Sequence, residues 1–275
     1  MKKKFWIIVP AALIALTTMN LTLASKEFSM SKTVLSESIS EKLAGKTIYF
    51  GHQSVGSNIL HGIEELKGKY PWLSVSIDKI DNIKKTTDMQ VLHSFVGENG
   101  KPSSKNDSFK KTIVNDLAGS IDIAVLKYCY VDLNAKSDIN KIFNNYKKTV
   151  QFINKTYPNV IIIHFTVPLT TNQGGIKAVI KKILGRPVGG AVENVIRNQY
   201  NELIKNEYAI KGNIFDLAEL ESTKIDGGVN QFKYNGKDYK SLVRGYTDDG
   251  QHLNKTGRKY IAEHFLLFLA DIITR

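Results

Sequence analysis

Short apolar runs alternate along the chain with amphipathic stretches, and this alternation constrains the fold more than any other feature. The strongest run, 159–167, is almost continuously apolar and rich in β-branched residues, as expected of a strand buried on both faces. The preceding stretch, 139–155, has its apolar residues at helical spacing, with Tyr146, Val150 and Ile153 on one side. Strands and helices that alternate in this way predict a mostly parallel sheet covered on both faces. We therefore expect one three-layer α/β/α domain of flavodoxin-like type, with five parallel strands.

The remaining predicted elements follow the same pattern. Five runs are predicted as strands: 47–51, 73–77, 121–130, 159–167 and 213–217. Five stretches are predicted as helices: 37–44, 59–66, 139–155, 192–208 and 256–273. Two long segments, 96–108 and 170–190, have the composition of loops, and the second is predicted to be a mobile flap. The cations of this flap are candidates for holding an anionic substrate, although a solvated loop explains them more simply: Lys177, Lys181, Lys182 and Arg186.

The N-terminus has the organisation of an export signal. Three lysines precede an apolar stretch, 5–16, and the small residues Thr22 and Ala24 suit cleavage after Ala24. An uncleaved membrane anchor is the alternative, because apolar residues continue to Leu23. Both alternatives predict a secreted or extracytoplasmic protein of the cell envelope. The predicted organisation is a signal peptide or anchor, a spacer and a folded domain, over 1–24, 25–45 and 46–275.

The formal net charge of +12 narrows the classes of partner. Without the three lysines of 1–24, a segment that has no acidic residue, the chain still carries +9. A charge of this sign favours contact with an anionic polysaccharide, another anionic envelope polymer or phospholipid head groups at a membrane surface. Nucleic acid is not expected, because the chain has no basic motif interleaved with aromatic residues. A solvated lysine-rich surface without a partner is the simpler alternative.

A serine directly follows the first predicted strand. That strand ends in Phe50-Gly51-His52-Gln53-Ser54 and leads into the helix at 59–66. Ligands of open α/β sheets bind at the carboxyl ends of the strands, so we expect the Ser54 hydroxyl in the crevice. The backbone N–H groups at the start of a helix can receive the charge of an oxyanion. Ser54 is therefore a candidate nucleophile, and a helix N-cap is its alternative role.

A second chemical feature precedes the last predicted helix, in the sequence Thr247-Asp248-Asp249-Gly250-Gln251-His252. A serine hydroxyl needs a base, and an imidazole has a suitable pKa. The imidazole in turn needs an acceptor that fixes its tautomer and stabilises its cation. Asp249 and His252 can supply both groups from one turn. The alternative is a surface turn in which Asp249 caps the closing helix.

Together these two features resemble the SGNH (GDSL-type) hydrolases over most of the chain, from about Thr47 to Ile273. The resemblance implies that Ser54 attacks an ester carbonyl, that His252 is the base and that Asp249 orients it. Asn201, ahead of the strand predicted at 213–217, also resembles the family's late helix–strand unit.

The chain departs from the family's motifs in two places. His52-Gln53-Ser54 replaces the usual Gly-Asp-Ser, and Cys129-Tyr130-Val131-Asp132 corresponds to the usual Gly-x-Asn-Asp. The asparagine that normally helps bind the oxyanion is therefore missing, and losing one such donor costs roughly 3 kcal/mol. Gly97 is the candidate backbone donor, and Asn99 is the candidate replacement for the lost side chain.

His52 and Asp132 are candidate substrate-binding residues, since one lies beside the nucleophile and the other is the acid retained from the second motif. His52 is also a candidate base, with a strand-end histidine bonded to the backbone as the alternative. Cys129 is the only cysteine, which excludes an intrachain disulfide, and a strand-embedded cysteine of this kind is usually inert. Four histidines have no spacing typical of a metal cluster, so we expect no metal and no cofactor: His61, His93, His164 and His264.

We expect an exported serine esterase that forms an acyl-serine intermediate. The resemblance makes O-acetyl groups on cell-surface or environmental carbohydrate the leading substrate, with lipids second. An O-acyltransferase that uses the same residues is one alternative. A non-catalytic binding or scaffold protein of the envelope is the other; the missing asparagine favours it, and the intact pair of Asp249 and His252 argues against it.

Overall fold

The computed structural model describes residues 35–83, 86–117, 119–172 and 189–275. The predicted signal peptide, the first part of the predicted spacer and the cations of the predicted flap lie outside these residues. The strands are β1 Thr47–His52, β2 Val75–Lys79, β3 Met89–Phe95, β4 Ile123–Leu126, β5 Ile161–Phe165, β6 Ile214–Phe215, β7 Gln231–Tyr234 and β8 Lys237–Lys240. The α-helices are α1 Glu37–Leu43, α2 Ser54–Lys67, α3 Pro102–Thr112, α4 Ile139–Thr156, α5 Ala191–Tyr208, α6 Leu217–Ser222 and α7 Lys255–Ile273.

Six strands form one parallel sheet in the order β2-β3-β1-β4-β5-β6. Apolar side chains of α1, α2, α6 and α7 are buried against one face of this sheet, and those of α3, α4 and α5 against the other. The predicted three-layer α/β/α architecture is therefore confirmed. The prediction of five strands is one short, because β3 lies between β1 and β2.

The additional strand β3 is absent from the prediction because its polar residues interrupt the apolar run. Gln90 is buried and donates to Asp78 Oδ2 at 3.2 Å, on the neighbouring strand β2. Ser94 Oγ lies 2.8 Å from the hydroxyl of Tyr49, on the other neighbouring strand. Partners on adjacent strands thus allow polar side chains inside the sheet, and no local sequence pattern reveals such partners.

The prediction of a loop over 96–108 is wrong in its second half, where α3 begins at Pro102. Proline suits the first turn of a helix because it lacks an N–H that would have no partner there. Four residues of α3 are buried at helical spacing: Lys105, Asn106, Phe109 and Thr112. The buried face of this helix is mostly polar, so its periodicity does not appear in an apolar pattern.

Strands β7 and β8 form a separate antiparallel hairpin that the prediction omitted. The turn is Asn235-Gly236, and both residues have positive φ, at 49° and 79°. This combination is typical of the two-residue turn whose twist matches a hairpin. The aromatic residues Phe232 and Tyr239 face each other across the strands, with ring centroids 6.0 Å apart. The Asn-Gly pair between two runs with alternating aromatic residues could have predicted this hairpin from the sequence.

The N-terminal part of the described chain packs into the main core. Leu35, Ile39 and Leu43 are buried in the same cluster as the inner residues of α7. This end of the predicted spacer is therefore part of the folded unit. None of the helices in the four described ranges is long and apolar enough to cross a membrane.

Candidate active site

The candidate site lies at the carboxyl ends of three adjacent strands. From β1, in the middle of the sheet, the chain passes to β2 and β3 on one side and then to β4, β5 and β6 on the other. A reversal of this kind leaves a crevice at the carboxyl edge of the sheet. The segments that follow β1, β3 and β4 carry Ser54, Gly97 and the pair Cys129-Tyr130. The topology thus brings three distant segments of the chain to one edge.

Ser54 is the first residue of α2 and is half-buried. The N-cap position belongs to Gln53 and makes no side-chain capping bond, so Ser54 is not the helix cap. The first N–H groups of a helix have no partner within it, and they can stabilise an anion. The Ser54 hydroxyl lies 3.9 Å from the sulfur of Cys129. A serine oxygen at this position has backbone donors beside it.

Gln53 connects the serine to the loop that follows β3. Its Nε2 donates to the carbonyl oxygens of Val96 at 2.9 Å and Gly97 at 3.1 Å. The residue before the serine therefore fixes the position of the predicted oxyanion loop relative to the nucleophile. The sequence comparison had treated this position only as a departure from the family motif.

Gly97 adopts a backbone conformation that requires glycine. Its φ is +51°, and a Cβ atom would lie 2.5 Å from the backbone nitrogen of Lys105 at the start of α3. Its N–H donates to no acceptor within the described chain. This N–H is therefore available to an acceptor from outside the described chain, and its role as an oxyanion donor stays a prediction. Asn99 is exposed, and its Oδ1 accepts from Lys105 Nζ at 3.0 Å, which leaves its amide N–H groups for other partners.

Asp132 occupies a structural position instead of a substrate-binding one. Its carboxylate accepts from Lys105 Nζ at 2.6 Å, from the Gly100 N–H at 2.8 Å and from the Cys129 N–H at 2.6 Å. Neither Lys105 nor Asp132 has any exposed side-chain surface. Direct contact with a substrate is thus ruled out for Asp132 in this structure. The buried ion pair joins helix α3 to the turn after β4.

Asp249 and His252 form the pair that the sequence predicted. Asp249 Oδ2 lies 2.6 Å from His252 Nδ1, while Oδ1 accepts the backbone N–H groups of Gln251 and His252, both at 2.8 Å. Although partial burial opposes the shift, these bonds from His252 and Gln251 hold the pKa of Asp249 well below its usual range. An ionised carboxylate at Nδ1 favours the tautomer with its proton on Nδ1 and leaves Nε2 as an acceptor.

The turn that carries His252 lies against the helix that carries Ser54. Asn58, one turn after Ser54 in α2, accepts the N–H of Leu253 at 3.2 Å. His252 Nε2 lies 3.4 Å from the hydroxyl of Tyr130, while the preceding Cys129 contacts Ser54. No hydrogen bond joins Ser54 to His252 within the described ranges. Ser54 and His252 thus contact neighbouring residues of the same short turn, 129–130.

His52 is buried and does not line this crevice. Burial lowers the pKa of His52 to about 3, so the ring is neutral at ordinary pH. Its Nδ1 lies 3.0 Å from the carbonyl oxygen of Gln53, and its Nε2 lies 3.1 Å from His93 Nδ1. The structure therefore favours the backbone-bonded histidine over the base or the substrate contact. The described residues contain no cluster of His, Cys, Asp and Glu suited to a metal.

Arg197 is a residue of the site region that the sequence analysis missed. It is almost fully buried on α5 and donates to the Tyr130 carbonyl at 2.9 Å, Thr170 Oγ1 at 2.9 Å and Asn194 Oδ1 at 2.8 Å. It therefore fixes the backbone of the 129–130 turn. Asn201, further along α5, binds both the N–H and the carbonyl of Val167. Asn194, Arg197 and Asn201 follow one another at helical spacing, and this pattern in the sequence could have indicated a buried polar face.

No family model matches the chain, and no curated protein matches it. Among solved structures, it is similar to a protein assigned to the G-D-S-L lipolytic family from Desulfitobacterium hafniense, with 12% identity over 82% of this chain and 99% of that one, at a TM-score of 0.44. The chain is also similar to the periplasmic domain of a lipopolysaccharide acetyltransferase from Salmonella ser. Paratyphi A, with 13% identity over 84% of this chain and 85% of that one, at a TM-score of 0.44.

A protein assigned as a GDSL-like lipase from Parabacteroides merdae has 15% identity over 84% of this chain and 97% of that one, at a TM-score of 0.45. The chain is similar to GDSL-type proteins. At these identities and TM-scores, the similarity carries no conclusion about catalysis, which depends on the contacts described above.

Proposed function

We propose that this protein is an exported serine esterase in which Ser54 is the nucleophile, His252 the base and Asp249 its partner. The observation that carries the proposal is the 2.6 Å pair of Asp249 and His252, whose free Nε2 borders the turn that also contacts Ser54. For acylation, the Ser54 hydroxyl, which lies 3.9 Å from the Cys129 sulfur, must move to within reach of His252 Nε2. Apo structures often hold catalytic groups at longer separations than the reacting complex.

The reaction has two stages. Ser54 Oγ attacks the ester carbonyl while His252 Nε2 takes its proton, and the negative Asp249 stabilises the imidazolium. The N–H groups of Ser54 and Gly97 receive the oxyanion. The proton then passes to the leaving alcohol, and water releases the acyl group from Ser54 by the reverse sequence of proton transfers.

The proposed substrates are O-acetyl esters on carbohydrate of the cell envelope or its surroundings. Two features of the sequence support this class: the export signal predicted over 1–24, and the net charge of +9 outside it. A positively charged surface raises the local concentration of an anionic polysaccharide. Association with an anionic membrane surface would follow from the same charge.

The test is covalent labelling with a fluorophosphonate probe, combined with hydrolysis of 4-nitrophenyl acetate. Wild type and Ser57→Ala should both react, because Ser57 lies one turn further along α2, whereas Ser54→Ala should do neither. Labelling that persists in Ser54→Ala would reassign the nucleophile. A wild-type protein that neither labels nor releases acetate would support a non-catalytic binding role. Acetyl transfer to an added sugar in preference to water would make the protein an acyltransferase with the same residues.

A further inference from the structure

The hydroxyl of Tyr130 occupies the reacting side of the proposed base. It lies 3.4 Å from His252 Nε2, the nitrogen that Asp249 leaves free, and the two rings meet edge to face with centroids 5.7 Å apart. Within the described chain, this hydroxyl is the hydrogen-bond partner of Nε2. The atom that must accept the serine proton, and later release it, therefore already has an oxygen beside it.

Buried residues fix the position of Tyr130. Its ring is almost fully buried, its carbonyl accepts from Arg197 Nε at 2.9 Å, and the same guanidinium lies 5.8 Å from the ring centroid. The N–H of the preceding Cys129 is bound by the buried carboxylate of Asp132 at 2.6 Å. Hydrogen bonds from Arg197 and to Asp132 thus fix the backbone at 129–130, and a reacting group needs a fixed position of this kind.

Tyr130 is also maintained as a hydrogen-bond donor. Burial, followed by the neighbouring Cys129 and the charge of Asp249, raises the pKa of Tyr130 above its ordinary value. The phenol therefore keeps its proton at neutral pH. A neutral phenol can donate one hydrogen bond and accept another at the same time.

The geometry points to Tyr130 as a further catalytic residue, a proton relay between His252 Nε2 and the leaving oxygen of the ester. This inference rests on the proposed function. In the free protein the Tyr130 O–H donates to Nε2. Once Nε2 has taken the proton of Ser54, it becomes a donor to the Tyr130 oxygen, and the Tyr130 O–H turns to the leaving oxygen.

The transfer balances without any further reactant. The bond from Ser54 Oγ to the acyl carbon forms, and the bond from that carbon to the leaving oxygen breaks. The Tyr130 proton passes to the leaving alkoxide while Nε2 returns a proton to Tyr130. The proton that began on Ser54 is thus replaced by one on the released alcohol, and both Tyr130 and His252 are restored.

The experiment compares two leaving groups in Tyr130→Phe, which keeps the ring and removes the hydroxyl. The sugar alkoxide released from a sugar acetate must receive a proton as it leaves, so kcat/KM for that ester, which reports formation of the acyl-serine, should fall about 100-fold, at the lower end of general acid–base contributions. The 4-nitrophenolate of 4-nitrophenyl acetate leaves without a proton, so kcat/KM for this ester should fall much less. Fluorophosphonate labelling of Ser54 should persist, because fluoride also leaves as an anion.

Tyr128→Phe is the matched control, since Tyr128 lies two residues away and its hydroxyl donates to Asn106 at 2.7 Å inside the core. It should keep the wild-type ratio of the two ester rates. Equal losses for both esters in Tyr130→Phe would mean a structural role, and equal gains would mean that the hydroxyl only blocks His252; either result overturns the relay. If wild type itself does not label, the proposed function fails, and the relay fails with it.

Discussion

Two lysine–carboxylate ion pairs and one histidine–carboxylate pair with the same N–O distance lie at or near the candidate site and differ mainly in exposure. Lys105 and Asp132 are 2.6 Å apart with no exposed side-chain surface. His252 and Asp249 are also 2.6 Å apart, with 39% and 53% of their side chains exposed. Lys101 and Glu98 are again 2.6 Å apart, with 64% and 67% exposed.

The difference in exposure distinguishes a pair that stabilises the fold from a pair that can take part in a reaction. Removing one partner of a buried pair leaves an uncompensated charge in a medium that cannot solvate it, so such a pair is costly to break. A half-exposed pair contributes little to stability, but its groups can exchange protons with a substrate. We therefore expect the buried pair to hold the site together and the half-exposed pair to do the chemistry. The predictions below test this division, starting with the largest expected effect.

The largest effect is expected on turnover, from Asp249→Asn. The substitution keeps an oxygen for the backbone N–H groups but no longer favours the tautomer that leaves Nε2 free, so kcat should fall about 10⁴-fold. The free energy of unfolding should change by less than about 1 kcal/mol, since the pair is exposed. Ester hydrolysis and urea titration measure the two quantities. Asp248→Asn, one residue away, is the matched control; a large loss of stability in Asp249→Asn would contradict the division.

The buried pair should give the largest effect on stability. Asp132→Asn leaves Lys105 buried without its counter-charge and should lower the free energy of unfolding by about 3–5 kcal/mol in urea titration. The double variant Lys105→Met, Asp132→Leu removes both charges and should recover part of that loss. The buried pair would lose its assigned role if the single substitution cost no more than the double one.

A buried carboxyl and an exposed one should respond to pH in opposite directions. Burial raises the pKa of Glu221 to about 8. Between the unfolded value of about 4.3 and 8, the folded state holds a proton that the unfolded state has lost. Stability should therefore fall as pH rises through this window, by up to about 1.4 kcal/mol per pH unit.

Asp249 has the opposite sign, because its pKa is lowered in the folded state. Its contribution to stability is present above the unfolded value of about 3.9 and is lost only as pH falls below it. Urea titrations at several pH values measure both trends. Glu221→Gln should flatten the curve between pH 5 and 8, and an unchanged slope in that variant would assign the dependence to another group.

The smallest effect is expected from the most exposed pair. Lys101→Ala should change the free energy of unfolding by no more than about 0.5 kcal/mol, because solvent already screens its attraction to Glu98. Its kcat should equal that of wild type. The free energy of unfolding and the hydrolysis rate of Lys101→Ala should be measured beside those of Asp132→Asn. A loss of stability close to that of Asp132→Asn would mean that exposure does not determine how much a pair contributes.

The sequence predicted those parts of the fold in which the buried surface is apolar. Helices α4, α5 and α7 and strands β1 and β5 follow from periodicity, because their inner residues are mostly aliphatic or aromatic. Strand β3 and helix α3 were missed because Gln90 and Lys105 occupy buried positions and find partners on distant segments. A local pattern cannot show a partner that only the folded chain supplies.

The same limit applies to the site. Ser54, Asp249 and His252 were predicted as site residues because their two segments together resemble the motifs of a known family, whereas neither segment was decisive by itself. The contacts that position them were not predicted. Gln53 donates hydrogen bonds to the loop after β3, Arg197 donates to the Tyr130 carbonyl, and the Tyr130 hydroxyl contacts His252. Each depends on which loops become neighbours. Asp132 was assigned to the substrate from its motif, whereas its actual neighbour, Lys105, lies in a segment predicted to be a loop.

The contact between Asn58 and Leu253 joins positions 195 residues apart, and it has a temporal consequence. The proposed nucleophile is synthesised early, whereas its base lies just before the closing helix. Under the proposed function, a chain that is still being synthesised therefore carries Ser54 without the base that would activate it. Chains that end before Asp249 should be inert towards the probe, so that hydrolytic capacity arises only when the last segment docks.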